Sequence, residues 1–156
     1  MRYALALIFT SFLWCNVGFA QEGEELPPTE LQFGLITGLF GVTDFESSPP
    51  FNLARPVFIG PTLLHKKWAF SPFYNLGDNG LGMFLSYAIS PEFGTYIVVD
   101  DQIDYDFGIY GLGFTTPIIQ PFVQGFVEIG GTYGEVKQTT FSVGVWIVLS
   151  KRIATW

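Results

Sequence analysis

The sequence predicts an all-β protein: a closed antiparallel up-and-down β-barrel of eight strands that crosses a membrane. The clearest evidence is residues 141–149, which read Phe-Ser-Val-Gly-Val-Trp-Ile-Val-Leu. Alternate side chains of a strand point to opposite faces, so one face of this segment is apolar throughout. The other face carries mostly small residues. This two-residue period is typical of a barrel strand whose outer face contacts lipid.

Composition is the second observation. Hydrophobic residues make up 49% of the chain and charged residues 13%, whereas soluble domains average about 25% charged residues. After residue 20 no apolar run reaches the roughly 18 residues that a membrane-spanning helix requires. A barrel accommodates both facts, because half of each strand can be apolar without forming a long apolar run.

The third observation is that the links between strands alternate in length. Eight strand-like segments are predicted, and the polar links at 44–52, 77–80, 99–104 and 133–138 are the longer ones. Between them lie brief turns at 65–67, 90–92 and 116–117. In an even-stranded outer-membrane barrel the short turns face the periplasm and the longer loops face outward. The predicted segments are 30–42, 54–64, 68–75, 81–89, 93–99, 103–115, 118–131 and 141–149. Pro61, Pro72 and Pro121 lie inside segments, where each removes a ladder hydrogen bond.

The N-terminal region predicts export. Arg2, an apolar run over 3–13 and the small residues Gly18 and Ala20 form the pattern of a signal peptide over 1–20. An N-terminal membrane anchor is the alternative, although the apolar run is shorter than the ~20 residues that a spanning helix needs. Residues 21–29 are acidic and predict a flexible lead-in. The barrel domain is then 30–156, in the outer membrane of a Gram-negative-type envelope.

Charge and cysteine content exclude several classes of function. Without Arg2 the chain keeps six of its seven basic residues against 14 acidic ones. We therefore expect no nucleic-acid partner, because binding phosphate requires lysine and arginine. The one cysteine, Cys15, lies in the predicted signal peptide, so the exported chain has no disulfide and no thiolate metal site. We also expect no cofactor.

Residues 119–127, Ile-Gln-Pro-Phe-Val-Gln-Gly-Phe-Val, are similar to the start of the penultimate strand in the small eight-stranded outer-membrane barrels. In pattern the chain resembles that superfamily: OmpX, the OmpA membrane domain and the opacity-type proteins. Trp156 is similar to the C-terminal aromatic residue through which such proteins are recognised for insertion, although Ala154, Arg152 and Ser150 interrupt the apolar parity before it. The resemblance implies a structural or surface-interaction role, outer-membrane lipid around the barrel, and an extracellular ligand or protein bound through the long loops.

The candidate binding residues are polar side chains expected in the lumen. Gln120, Gln124 and Glu128 share one parity of the seventh segment. A carboxylate facing inward is costly unless it is paired. For Glu128, a role in binding or transport and a purely structural role in a hydrogen-bond network both remain open. The predicted cationic partners are Arg55, Lys137 and Lys151.

Two further features are candidates for metal binding or catalysis: an acidic cluster and the one histidine. Oxygen-rich loops can hold Ca²⁺, but the spacing of the acidic cluster matches no calcium loop, so its members are weak metal candidates and a solvated loop is favoured. His65, the one histidine, lies beside Lys66 and Lys67 in a predicted turn, whereas barrel lipases place a histidine and a serine on strands. The sequence thus predicts no enzyme. The acidic cluster is Asp100, Asp101, Asp104 and Asp106.

A second function stays open: a soluble exported barrel that binds a lipid or a small apolar ligand in its lumen. It predicts that the apolar parity faces inward and the polar parity outward. A lipid-facing barrel instead has a continuous apolar belt on its outside.

Overall fold

The computed structural model describes residues 28–43, 52–120, 122–135 and 137–156, which form a closed antiparallel barrel. Consecutive strands pair, and the first strand pairs with the last to close the sheet. No helix in these residues is long and apolar enough to span a membrane. The strands are β1 (Glu30–Thr43), β2 (Asn52–Ala54), β3 (Val57–His65), β4 (Trp68–Asn75), β5 (Gly80–Ser90), β6 (Phe93–Gln102), β7 (Phe107–Ile119), β8 (Val123–Gly134) and β9 (Thr139–Thr155).

The nine strands occupy eight positions around the barrel, which we call staves, because β2 and β3 lie end to end along β1. Ala54 pairs with Phe40, and Val57 pairs with Thr37. Arg55 and Pro56 separate the two pieces, and a proline has no N–H for the ladder. The predicted all-β, eight-stranded barrel is therefore confirmed, with its second predicted strand divided.

Several predicted boundaries are wrong at the end of the barrel that carries the longer links. Residues 99–104 were predicted as a loop, but β6 continues to Gln102, and β7 begins only at Phe107. Likewise β8 extends to Gly134, within the predicted link 133–138. At the opposite end, the predicted turn 116–117 lies within β7, and β8 begins only at Val123. The polar residues at the end of β6 remain in the strand because their side chains are bonded inside the barrel, as described below.

The predicted signal peptide and most of the predicted lead-in lie outside the described residues, as do 44–51 of the first long link. Thr29, the last residue of the predicted lead-in, directly precedes β1 and bonds to the C-terminal residue. Its backbone N–H donates to the Trp156 carbonyl, and the Trp156 N–H donates to the Thr29 carbonyl, both at 3.0 Å.

The outer face of the barrel is a continuous apolar belt. Its large side chains are between 37% and 58% exposed, so no other part of the described chain covers them. The odd positions of β9 belong to this belt, as the alternation predicts, while Ser142 and Trp146 point inward and are buried. The belt consists of Phe33, Leu39, Leu63, Leu81, Ile97, Leu112, Val127, Ile129, Val143, Ile147 and Leu149.

The interior at mid-height is filled by rings, which we call the aromatic plug. Each of its buried side chains is at most 8% exposed. Phe126 stacks on Trp146 with ring centroids 4.7 Å apart, and Phe40 meets both edge-on. An eight-stranded barrel is normally filled by its own side chains in this way. The plug comprises Phe58, Phe73, Phe84, Tyr96, Val98, Phe126 and Trp146, with Ile36, Phe40 and Val148 packed against it.

A β-bulge accounts for the interrupted parity at the C-terminus. Ala154 pairs with Leu31, whereas Arg152 pairs with the next residue, Gln32, so Ile153 is an extra residue in β9. One extra residue moves the outward face from odd to even positions. Trp156 consequently faces outward and is 67% exposed.

The close approach of β1 and β9 can be tested by a substitution at Gly144. A Cβ there would lie 2.3 Å from the Phe40 Cβ and 2.4 Å from the Leu39 carbonyl oxygen. We expect Gly144→Ala to destabilise the barrel by about 1–3 kcal/mol, the usual cost of overpacking, measured by urea unfolding in detergent micelles.

The matched control is Gly125→Ala on the outer face, where the nearest atom, Ile118 Cδ1, is 3.4 Å from the new Cβ. It should be near neutral. Equal midpoints for the two variants would contradict the close approach of β1 and β9.

Candidate functional site in the barrel interior

Glu128 lies inside the barrel, where it accepts a hydrogen bond from a tyrosine. The Tyr96 hydroxyl donates to Glu128 Oε2 at 2.8 Å. Glycines on the strand between them make the space: a Cβ at Gly113 would be 2.2 Å from the Tyr96 ring, and one at Gly111 would be 2.6 Å from Glu128 Cδ. The carboxylate is thus held within the plug by a neutral donor.

None of the three predicted cations is the partner that the structure shows for Glu128. Arg55 is exposed at the break between β2 and β3. Lys137 is exposed in the β8–β9 link, and Lys151 is exposed on the outward parity of β9. The prediction assumed a polar lumen, but the residues around Glu128 are aromatic, and a tyrosine supplies the hydrogen bond.

Two of the predicted lumen residues lie on the same inward face of the barrel. Gln124 and Glu128 both point inward from β8, as the alternation indicates. Gln120 instead lies in the β7–β8 turn, where it is exposed and its Nε2 donates to the Pro91 carbonyl at 3.4 Å. It is separated from the other two because β8 starts at Val123.

A group of buried polar side chains closes the interior at the long-link end; we call it the polar cap. Asn75, Asp100 and Gln102 are 2%, 4% and 4% exposed. Asn75 Nδ2 and Gln102 Nε2 donate to Asp100 Oδ2 at 2.8 Å and 3.2 Å. Within the described residues the other oxygen of Asp100, Oδ1, is buried without a hydrogen-bond partner.

Asn75 was not among the predicted lumen residues, although the alternation in β4 indicates it. Ser71, Phe73 and Asn75 share one parity of β4, opposite to the outward Trp68 and Tyr74. A polar residue ending an inward-facing series is well placed to cap a lumen. Asn75 also accepts from the Gly77 N–H at 3.1 Å, which ties the cap to the β4–β5 turn.

The four aspartates that were weak metal candidates do not converge. Asp100 points inward, while Asp101 on the opposite face accepts from the Tyr133 hydroxyl at 3.4 Å. Asp104 accepts from Asn79 Nδ2 at 2.7 Å, and Asp106 is exposed in the same β6–β7 link. Within 28–43, 52–120, 122–135 and 137–156, no group of three or more carboxylate, histidine or cysteine side chains could hold a metal.

The other half of the interior, toward the short turns, holds a cavity of about 460 Å³ that we call the lumen cup. Residues from all eight staves line it, and Phe58 and Phe73 of the plug form its floor. Its inward side chains are small or neutral, and the Thr62 and Ser71 hydroxyls bond each other at 2.9 Å. The polar lining includes Gln32, Thr62, Ser71, Ser86, Thr115 and Gln124, and Lys66 and Lys67 reach it from the β3–β4 turn.

A polar network lies at the mouth of the cup. Arg152 Nη2 is 2.7 Å from Glu30 Oε1, and Gln32 joins Glu30 to Ser150 through hydrogen bonds of 3.1 Å and 2.8 Å. His65 was predicted in a turn but is the last residue of β3. Its Nδ1 lies 2.8 Å from the Thr29 hydroxyl at this exposed mouth.

Comparison with known proteins identifies no family for this chain. No protein-family model and no curated protein matches this chain. Among solved structures, the barrel is similar to outer membrane phospholipase A from Escherichia coli, at 16% identity and a TM-score of 0.38. The match covers 75% of this chain, which spans about half (51%) of that one. A likeness this distant carries no argument about function.

Substituting the two partners of the Tyr96–Glu128 hydrogen bond one at a time should have unequal effects on stability. Tyr96→Phe leaves a buried carboxylate without its donor and should cost about 1–3 kcal/mol. Glu128→Gln keeps an acceptor for the tyrosine and should cost less, as measured by urea unfolding in micelles.

The double variant should be less destabilised than the sum of the two single changes, because the groups share one interaction. Additive losses would show that the two side chains do not act as a pair.

Proposed function

We propose that this chain is an outer-membrane β-barrel with a structural or surface-interaction role, not an enzyme. The observation that carries the proposal is the apolar belt around a closed barrel. A sheet whose large aliphatic side chains point outward needs an apolar surrounding, and closure leaves no unpaired edge in it. In water such a surface would promote association.

Aromatic rings at both ends of the belt support this placement. Toward the short turns, Trp68 lies 4.7 Å from Tyr87, centroid to centroid, and Phe93 stacks on Phe114 at 5.6 Å. Toward the long links, Tyr110 and Tyr133 stack at 6.5 Å. Tryptophan and tyrosine favour the membrane–water interface, where their amphipathic rings meet the headgroups.

A role without catalysis is supported by the interior and by His65. Among the described residues, the plug fills the barrel at mid-height and leaves no open passage between its two ends. In the described residues His65 contacts the Thr29 hydroxyl at an exposed strand end. A catalytic histidine needs a positioned nucleophile and a group that orients the ring, and this contact supplies no orienting acid.

The surface role rests on the long-link end. Asp78, Asp104, Asp106 and Glu135 are exposed there. We propose that the described links at this end face outward and contact an extracellular ligand or protein, since binding residues are commonly placed on loops held by a rigid scaffold.

A soluble carrier remains a second candidate, because the lumen cup has an aromatic floor. It requires the apolar parity to face inward and the polar parity outward. The outer belt favours the membrane barrel, although the interior of this chain is apolar as well.

Two isoleucines of similar exposure separate these candidates. Ile129 lies in the belt and is 57% exposed; Ile103 lies in the β6–β7 link and is 56% exposed. On a lipid-facing surface, Ile129→Arg should cost about 2–4 kcal/mol, measured by urea unfolding from phospholipid vesicles.

Ile103→Arg is the control and should be near neutral. A soluble barrel would tolerate both substitutions alike, and that result would overturn the membrane placement.

Orientation is tested by cysteine labelling in intact cells. With the leader removed, the chain has no cysteine to interfere. Asp104→Cys in a long link should react with a membrane-impermeant maleimide, because we expect that end to face outward. Glu92→Cys in the β5–β6 turn should react only after the outer membrane is permeabilised. The reverse pattern would contradict the proposed orientation.

A further inference from the structure

Pairing between β3 and β4, the two strands of one hairpin, is interrupted in its middle. Every residue of this hairpin is described. Pairing holds at Ile59–Tyr74, stops, and resumes at Leu63–Phe70. The same register on both sides of the gap places Pro61 opposite Pro72. We call the gap, residues 60–62 and 71–73, the proline seam.

Two prolines facing each other explain the gap. Neither has an N–H, so the two ladder bonds that this pair would exchange cannot form. Prolines are normally confined to sheet edges, yet these two lie inside a closed wall. In the barrel wall each missing bond leaves a carbonyl that lipid cannot satisfy.

A side-chain contact bridges the seam in place of the ladder. The hydroxyls of Thr62 and Ser71, directly opposite each other on the inner face, are 2.9 Å apart. Opening the wall here therefore breaks one hydroxyl contact and no backbone bonds at the proline pair. The two strands therefore separate here at a lower cost than over a fully paired stretch of the same length.

The lumen cup lies directly behind this seam. All six seam residues line the cup, together with the ring floor of Phe58 and Phe73. The inward residues of the cup, such as Ala69, Ser86 and Thr115, are small and uncharged. A neutral, narrow space with an aromatic floor suits a hydrocarbon chain better than an ion or a charged solute.

The turn of the same hairpin is basic. Lys66 and Lys67 follow β3 directly, are exposed, and also line the cup. The seam lies about 13 Å along the strand from this turn, at roughly 3.3 Å per residue. A lipid phosphate at the turn would thus place the upper part of its acyl chain at the height of the seam.

We propose that the proline seam is a lateral entrance through which one acyl chain of an anionic phospholipid passes from the bilayer into the lumen cup. Lys66 and Lys67 hold the phosphate at the turn, and the Thr62–Ser71 contact opens and recloses. This inference rests on the proposed membrane placement and adds a lipid-binding site to it.

The test is photolabelling in vesicles of phosphatidylglycerol that contain a fraction of the same lipid with a diazirine at the end of one chain. After irradiation, adducts are located by mass spectrometry of the digested protein. Belt residues such as Leu112 report contact with the bilayer. Adducts on the inward Thr115 and Gln124 report entry into the cup, and we expect both kinds.

A disulfide staple distinguishes entry by the seam from entry by the mouth. Thr62→Cys with Ser71→Cys, when oxidised, should lose the adducts inside the cup and keep those on the belt, and reduction should restore them. The matched control is Val127→Cys with Val143→Cys, two belt residues outside the cup, which spans the uninterrupted β8–β9 pairing and should keep both kinds of adduct.

The phosphate contact is tested by Lys66→Asn with Lys67→Asn, which should lower labelling inside the cup several-fold, whereas Lys151→Asn at the same end should not. Asparagine tolerates the left-handed backbone of Lys66, whose φ is 57°. Unchanged labelling would overturn the role of the two lysines.

The remaining outcomes are also decisive. Belt adducts without cup adducts would overturn the lateral entrance and leave the membrane barrel intact. Cup adducts that persist in the oxidised seam staple would overturn the seam as the route. Absence of belt adducts would overturn the membrane placement itself.

Discussion

The closure of the sheet between β1 and β9 is the contact on which the rest of the structure depends. It runs from Glu30 opposite Thr155 to Thr43 opposite Phe141, and it removes the last open edge. Inside a bilayer no water can satisfy an unpaired backbone group, so a sheet must close to span it. A closed sheet can then present apolar side chains outward, as this chain does.

Closure also fixes what the interior can contain. Eight staves leave room for side chains and little more, and this chain fills the middle with rings and leaves small residues toward the short turns. Close approaches such as Phe40 to Gly144 are possible because glycine has no Cβ. The buried carboxylates Glu128 and Asp100 each accept a hydrogen bond from a neutral donor that lies two strands away. The proline seam departs from full pairing, and it lies beside the cup.

The sequence predicted the fold because the signal for it is local. Alternation in β9 and β5 identifies outward and inward faces residue by residue, and the brief turns set the strand order. The end of β6 was missed because Asp100 and Gln102 have the composition of a loop. Their bonds to each other and to Asn75 exist only once the strands are side by side.

The same limit applies to the interior. Parity was sufficient to place Gln124 and Glu128 inside, but not to choose Tyr96 as the partner of Glu128, since the two lie 32 positions apart in the chain. Nor did parity show that Ile153 is an extra residue, because a bulge is a relation between two strands. The sequence places Pro61 and Pro72 inside predicted strands. It does not show that they face each other, because that depends on the register of the β3–β4 hairpin.

The most direct test of the central claim is fractionation of cell membranes with sarkosyl, followed by electrophoresis with and without boiling. A closed membrane barrel should stay in the insoluble outer-membrane fraction and change mobility on heating, because its sheet resists the detergent until it is boiled. Recovery in the soluble periplasm with one mobility under both conditions would contradict the account.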